Sequence, residues 1–239
     1  PTDVKLDFYV ESFGNIEEAN LEFSVFMYFR QMWRDPRLAD RVNQSVVLQR
    51  DQISYLWFPD TYCSNAKRSD LMSPDTEIHS SLTLEPDGSI FYSRSAHIVA
   101  SCEMDLRDFP MDTQTCNLVF GSYGYTDNDI KLSWKSTKIL IANKEMAQFS
   151  LGDCVLSSKT MEYVQGNYTL LSASFPMHRR IGYYAIQMYV PCTFLVMLSW
   201  IVFWMNPEET GNRLTVGITT ILTIVFLLGY TNSTLPKVS

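Results

Sequence analysis

The sequence predicts an extracellular antiparallel β-sandwich followed by transmembrane α-helices, two of them within its 239 residues. Three observations carry this reading. Apolar residues alternate with period two through the first 180 positions, turn residues punctuate the alternation, and two long uncharged stretches follow it. Residues 21–33, LEFSVFMYFRQMW, put Leu21, Phe23, Val25, Met27 and Phe29 on one face. Glu22, Ser24, Phe26, Tyr28 and Arg30 fall on the other, which is the pattern of a half-buried strand. Residues 81–93, SLTLEPDGSIFYS, read as a hairpin turning at Pro86-Asp87-Gly88, where Pro presets one turn dihedral and Gly accepts the left-handed one. Residues 157–175 repeat the pattern, turning at Gln165-Gly166-Asn167. No long amphipathic helix, internal repeat, low-complexity tract or flexible linker interrupts the series, so a sandwich over residues 1–181 is expected.

Residues 182–205, GYYAIQMYVPCTFLVMLSWIVFWM, carry no charge. A helix of that length spans about 36 Å, enough to cross a hydrocarbon core of about 30 Å. A second uncharged run begins at Leu214, and a second helix is expected over about 214–232, so that residues 182–239 form a membrane domain. The competing reading, a core helix of a soluble protein, conflicts with so long a run without charge.

Five cysteines and two sequons bear on compartment. Cys102 and Cys116 flank a short charged loop, with Phe109-Pro110 near its middle, and are the natural disulfide pair. Cys63 and Cys154 are a possible second pair, and Cys192 within the first span reads as a packed thiol. The triplets NQS at Asn43 and NYT at Asn167 are glycosylation acceptors in a secreted context. Together these put the N-terminal domain outside the cell. The pair Arg179-Arg180 before the first span argues the opposite by the positive-inside rule, but long N-terminal domains cross largely regardless of flanking charge. No signal peptide opens the chain, so residue 1 reads as a mature or trimmed start. A net charge of −7 disfavours nucleic acid as a partner. His79, His97 and His178 have no ligand spacing, so neither metal nor cofactor is expected. No Ser-His-Asp set or carboxylate pair stands out, so the chain does not read as an enzyme.

The ordered set WRDPRL, LWFPDTY, the thirteen residues between Cys102 and Cys116 with FPMD among them, SYGYT, IGYY, GITTILT and TLPKVS resembles the Cys-loop, or pentameric ligand-gated ion channel, family. Within it the chain is most similar to the glycine and GABA type A receptor branch. The likeness runs over almost the whole sequence. It implies a plasma-membrane subunit that assembles with four others, identical or not, around a pore open to permeant ions and bounded by lipid. Family members have four membrane helices. This sequence ends at Ser239, where the loop after the second helix would lie, and lacks the third and fourth.

The resemblance implies roles for particular residues. Tyr62, Tyr123, Tyr163 and Tyr168, each at or beside a predicted loop, match the aromatic box on the principal side of the agonist site. Taken singly, each would read as packing. On the complementary side Tyr28 and Arg30 share a strand face, with Ser93 on the adjacent strand. A small amine or amino-acid agonist would set its ammonium group on the tyrosines and its carboxylate on Arg30. Two departures bear on the agonist: Gly121 stands where glycine and GABA receptors carry a glutamate, and the adjacent cysteines of acetylcholine receptors are missing from 163–168. Phe109 and Pro110 in the ring from Cys102 to Cys116 would press on the pore domain near TLPKV. Without the resemblance, that ring reads as a structural staple.

In the second span Thr215, Thr219, Leu222, Phe226, Gly229 and Ser233 recur as one helical stripe. By itself such a stripe suits helix packing. The resemblance makes it the pore lining, with Leu222 as an apolar constriction. Gly211, Asn212 and Arg213 stand at the inner mouth. Arg213 without an adjacent acid favours anions, chloride first, while Glu208 and Glu209 keep a cation-selective channel open as an alternative. A non-conducting binding or structural subunit is the other.

Overall fold

Alternating faces in the sequence become two facing sheets in the computed structural model. The structure describes residues 1–48, 50–71, 79–144, 146–208 and 210–234; the side chains of residues 50, 51 and 230–234 lie outside that description. β1 (Thr2–Glu17) and β2 (Glu22–Arg34) form an antiparallel pair. β3 (Val46–Leu48), α1 (Arg50–Ile53), β4 (Thr61–Cys63), β5 (Ala66–Ser69) and β6 (Ser80–Leu84) follow. Next come β7 (Ser89–Ser101), β8 (Thr113–Ser122), β9 (Ile130–Trp134), β10 (Leu140–Ile141) and β11 (Phe149–Leu151). β12 (Val155–Tyr163) and β13 (Gly166–Arg179) close the series. One sheet has eight strands in the order β10-β1-β2-β7-β6-β3, with β5 beside β7 and β9 beside β1. The other has five, β11-β13-β8-β4, with β12 on β13.

The inward residues pack between these sheets. Val4, Leu6, Phe8 and Val10 of β1 and Phe23, Val25, Met27 and Phe29 of β2 are buried. They face Cys116, Leu118 and Phe120 of β8 and Leu171, Ala173, Phe175 and Met177 of β13. Phe120 joins the layers, its ring 5.2 Å from Phe29 and 5.8 Å from Phe8. Aromatic rings at these separations add to the stabilisation from buried area alone.

Three local expectations are corrected. Leu21 is not the first inward residue of β2; it sits in the preceding turn with φ 51. The β12–β13 hairpin turns at Val164-Gln165, and Gly166 and Asn167 already belong to β13. Gly166 has φ 139, which favours glycine, and a Cβ there would lie 3.0 Å from the Thr126 methyl carbon. The sheet is not wholly antiparallel either, because β1 pairs in parallel with both β9 and β10.

After Arg179 the chain enters helix. α2 (Gly182–Tyr184), a π-helical turn (Ala185–Tyr189), α3 (Val190–Ile201) and a 3-10 turn (Val202–Trp204) form one apolar segment. The π turn lies just before Pro191, whose missing N–H and bulky ring would disturb a regular helix. Gly182–Trp204 has a mean hydropathy of 1.8, and its 23 residues reach about 35 Å. Tyr183 near one end and Trp200, Phe203 and Trp204 near the other are exposed, as suits rings at the two membrane interfaces. α4 (Thr210–Thr234) starts four residues earlier than the charge pattern indicated, so Gly211, Asn212 and Arg213 lie within its first turn.

Candidate functional site

Four tyrosines converge at one end of the five-stranded sheet. Tyr62 lies on β4 and Tyr123 in the loop after β8, with ring centroids 5.6 Å apart and nearly perpendicular. Tyr163 ends β12 and Tyr168 lies near the start of β13, with rings 5.7 Å apart. Burial, then the neighbouring Tyr163 and Tyr123 hydroxyls, push the Tyr62 phenol above its ordinary pKa, so the two pairs share one locus. Tyr123 is 78% exposed and Tyr163 54%, leaving ring faces open to a cation.

Asp60 organises this locus, and no local pattern in the sequence marks it for that role. Its carboxylate accepts from Ser122 Oγ at 2.5 Å, from the Tyr123 N–H at 3.1 Å and from the Gly124 N–H at 2.6 Å. It therefore fixes the loop that presents Tyr123. The only sequence signal was an acid one residue beyond Pro59 in LWFPDTY. Gly121 pairs with Tyr62 across β4–β8, and a Cβ there would meet Leu170 Cδ2 at 2.6 Å. A larger side chain at 121 therefore requires Leu170 to move.

Tyr28, Arg30 and Ser93 lie elsewhere, on the outer face of the eight-stranded sheet. Arg30 pairs with Ser93 of β7 on one side and Asp7 of β1 on the other. The Tyr28 ring lies 6.2 Å from that of Tyr9. Among the described residues, the Arg30 side chain makes no hydrogen bond or ion pair. The tyrosine cluster and Arg30 belong to different sheets and do not meet within one chain.

The disulfide between Cys102 and Cys116 is formed, with the Cα atoms 5.1 Å apart. Cys63, Cys154 and Cys192 are thiols, so the possible second bridge is not made. Burial pushes both Cys63 and Cys154 up to about 11, away from reactivity at neutral pH. The ring from Cys102 to Cys116 rests on Arg179, the last residue of β13. The guanidinium is fully buried and donates to both Asp112 oxygens at 2.7 and 3.1 Å, to Glu18 Oε1 at 2.5 Å and to Tyr184 Oη at 3.3 Å. It also lies 4.8 Å from the Phe109 ring and 4.5 Å from that of Phe149. Phe109 in turn packs edge-on against Tyr184 at 4.9 Å. One cation thus joins the β1–β2 turn, the disulfide ring and the entry to the first span. In the sequence alone Arg179 reads only as a charge flanking the first span. The expected contact of Phe109 and Pro110 with TLPKV falls mostly on residues 235–239, outside the described residues.

Cys102→Ser is expected to remove a closed loop of about 15 residues, worth about 3 kcal/mol by chain entropy. Surface biotinylation should show most of the protein retained inside the cell. Wild-type surface levels would show that packing around Arg179 holds the loop without the covalent tie.

The two helical segments pack along one seam. Arg213, Val216, Gly217, Thr220 and Leu227 of α4 are half-buried at helical spacing, as are Cys192, Leu195 and Ser199 along α3. Thr215, Thr219, Leu222 and Phe226 lie on the opposite side of α4, with Leu222 68% and Phe226 74% exposed. Thr215 Oγ1 donates back to the Gly211 carbonyl and Thr219 Oγ1 to that of Thr215, both at 2.9 Å. Gly211 and Gly229 share that outer stripe, Arg213 turns toward α3, and Asn212 is exposed. The Ser233 side chain and Glu209 lie outside the described residues. Asn43 is exposed in a loop and Asn167 is exposed on β13. Among the described residues no group of three or more His, Cys, Asp or Glu side chains is placed to hold a metal.

Comparison with known proteins agrees with this geometry. The neurotransmitter-gated ion-channel ligand binding domain matches residues 1–185, and the neurotransmitter-gated ion-channel transmembrane region matches residues 188–239. The gamma-aminobutyric acid receptor subunit beta-4 of Gallus gallus is 35% identical over 242 residues, covering 100% of this chain and 49% of its own length. The chain thus spans about half the length of that relative. It belongs to the neurotransmitter-gated ion-channel family, with an extracellular N-terminal β-sandwich followed by membrane-crossing helices.

Proposed function

We propose that the chain is part of a subunit of a pentameric channel, opened by a small amino acid bound between neighbouring subunits. Residues 1–181 hold the two half-sites and residues 182–239 contribute to the pore. The observation that carries this reading is the separation of the half-sites: Tyr62, Tyr123, Tyr163 and Tyr168 lie on one sheet and Arg30 on the other. A second copy is needed to bring an amine-binding cluster and a carboxylate-binding arginine to one ligand. The agonist's ammonium group lies against the tyrosine rings, each good contact contributing about 0.5–2 kcal/mol. Its carboxylate takes a two-point contact from Arg30, with Tyr28 and Ser93 beside it. γ-Aminobutyric acid fits this division of charge, and the related chicken subunit bears its name.

The outer stripe of α4 lines the pore. Anion selectivity follows from the positive end of the α4 dipole at Gly211 and Asn212, with the charge of Arg213 acting from the α3-facing side of the same turn rather than from the pore stripe. An exposed Glu208 just before α4 favours the opposite sign, and cation selectivity is the second reading. Asn43 and Asn167 carry N-glycans in this reading.

The test is expression of the full-length subunit in oocytes, with γ-aminobutyric acid and glycine applied and the reversal potential recorded. A current reversing at the chloride potential is expected. Reversal near the sodium potential would transfer control of the mouth to Glu208 and overturn the anion reading. In the same assay Tyr168→Ala should raise the half-maximal agonist concentration at least tenfold, about 1.4 kcal/mol. Tyr168→Phe, which keeps the ring face, should shift it less. An unmoved dose-response in the alanine variant removes this cluster from agonist binding.

A further inference from the structure

The hairpin that carries Tyr163 and Tyr168 extends past the strand that supports it. β13 pairs with β8 as far as Leu171, opposite Phe120, and β8 itself ends at Ser122. Beyond that point a single residue takes over the ladder. The Asp127 N–H donates to the Asn167 carbonyl at 2.9 Å, and Asp127 Oδ1 accepts from the Thr169 N–H at 2.8 Å. A backbone donor and a side-chain acceptor together reproduce the two-point pairing that one more strand residue would have made. Asp127 lies four residues after Tyr123, in the loop that Asp60 fixes. The neighbouring Thr126 methyl closes against Gly166, where a side chain would have to displace it.

We infer that Asp127 is a clasp, a positioning residue that holds the β12–β13 hairpin against the loop carrying Tyr123. It thereby sets the agonist concentration at which the channel responds. The clasp stands on the hydrogen-bond geometry alone; its effect on agonist response rests on the function proposed above. Of its two contacts, the backbone N–H survives any substitution except proline, whereas the carboxylate contact is lost with the side chain. An opened hairpin separates Tyr163 and Tyr168 from Tyr62 and Tyr123, so the amine meets half of its aromatic cluster.

The experiment compares Asp127→Ala with Asp127→Asn in the full-length receptor. Asparagine keeps an oxygen able to accept from Thr169, and Asp127→Glu, which displaces the carboxylate by one methylene, supplies a second, milder lesion. Hydrogen–deuterium exchange of the peptide spanning 164–170 should be at least tenfold faster in Asp127→Ala and close to wild type in Asp127→Asn. Residues 173–178, paired to β8, should not change. The half-maximal γ-aminobutyric acid concentration should rise at least fivefold in the alanine variant and return in the asparagine variant. Unchanged exchange at 164–170, or acceleration that spreads through 173–178, overturns the clasp. Faster exchange with an unmoved dose-response overturns its positioning role. If exchange moves as expected but wild type passes no current with any agonist, the clasp stands and the channel reading fails.

Discussion

Arg179→Gln is expected to prevent the receptor from reaching the surface in functional form. Arg179 is the only cation in contact with Asp112 among the described residues, and the Asp112 side chain is 2% exposed. Removing one partner of a buried pair leaves the other charged and desolvated, at a cost of about 3–5 kcal/mol. Domains of this kind are stable by only about 5–15 kcal/mol, so such a loss is a large share of the total. Arg179→Lys keeps the charge but offers one compact donor where Arg179 reaches Asp112 twice and Glu18 once. It should fall between wild type and Arg179→Gln.

The pH response distinguishes this mechanism from simple loss of packing. Burial pushes Asp112 up, but hydrogen bonds from Arg179 and Gln114 outweigh it and hold the carboxyl below its ordinary value. A depressed folded-state pKa contributes stability above the unfolded value of about 3.9, and that stability is lost only as pH falls through the folded value. Wild type should therefore be insensitive to this group between pH 5 and 8. In Arg179→Gln burial prevails and raises the Asp112 pKa, so the sign reverses and stability falls as pH rises. Thermal unfolding of detergent-purified protein at pH 5 and pH 8 reads this directly. A variant no more stable at pH 5 than at pH 8 would mean that Gln114 or water has taken up the carboxylate.

Residues that face the core or line one regular element were legible in the sequence. Phe23, Val25, Met27 and Phe29 alternate because a strand imposes period two, and all four are buried. Thr215, Thr219, Leu222 and Phe226 share one side of α4 for the corresponding helical reason. The pairings that no local pattern encodes join segments far apart in the chain. Arg179 and Glu18 are separated by 161 positions, and Asp60 and Tyr123 by 63. No local period records either pairing, and an arginine before a membrane span looks the same whether it flanks lipid or neutralises a buried acid. Bounds of elements failed where backbone chemistry decided them. Gly166, with its positive φ, opens β13 rather than forming the turn, and the first turn of α4 takes in Gly211, Asn212 and Arg213, whose polarity had marked a loop.

Leu222→Thr is expected to raise resting current and sensitivity to agonist without changing the ion that carries it. The α3-facing side of α4 is already occupied, whereas Leu222 stands on the other side with 68% of its surface exposed. In a pentamer whose axis this side faces, five leucines meet at one level. Apolar walls offer water no hydrogen bond, so a narrow passage there empties and stops ions without a physical plug. Threonine is one bond shorter than leucine and carries a hydroxyl. Thr219, one turn below, bonds back to the Thr215 carbonyl and still presents an oxygen to its surroundings. Five such hydroxyls at 222 let water persist, and the closed state loses its advantage over the open one. A bias of 1.4 kcal/mol changes the closed-to-open ratio about tenfold, so even a small change per subunit, multiplied five times, is visible as leak. Phe226 forms a second apolar level one turn above, and if it alone keeps the pore dry, Leu222→Thr stays silent at rest while Phe226→Thr leaks. Silence in both variants, with agonist response lost, would put a different face of α4 toward the pore.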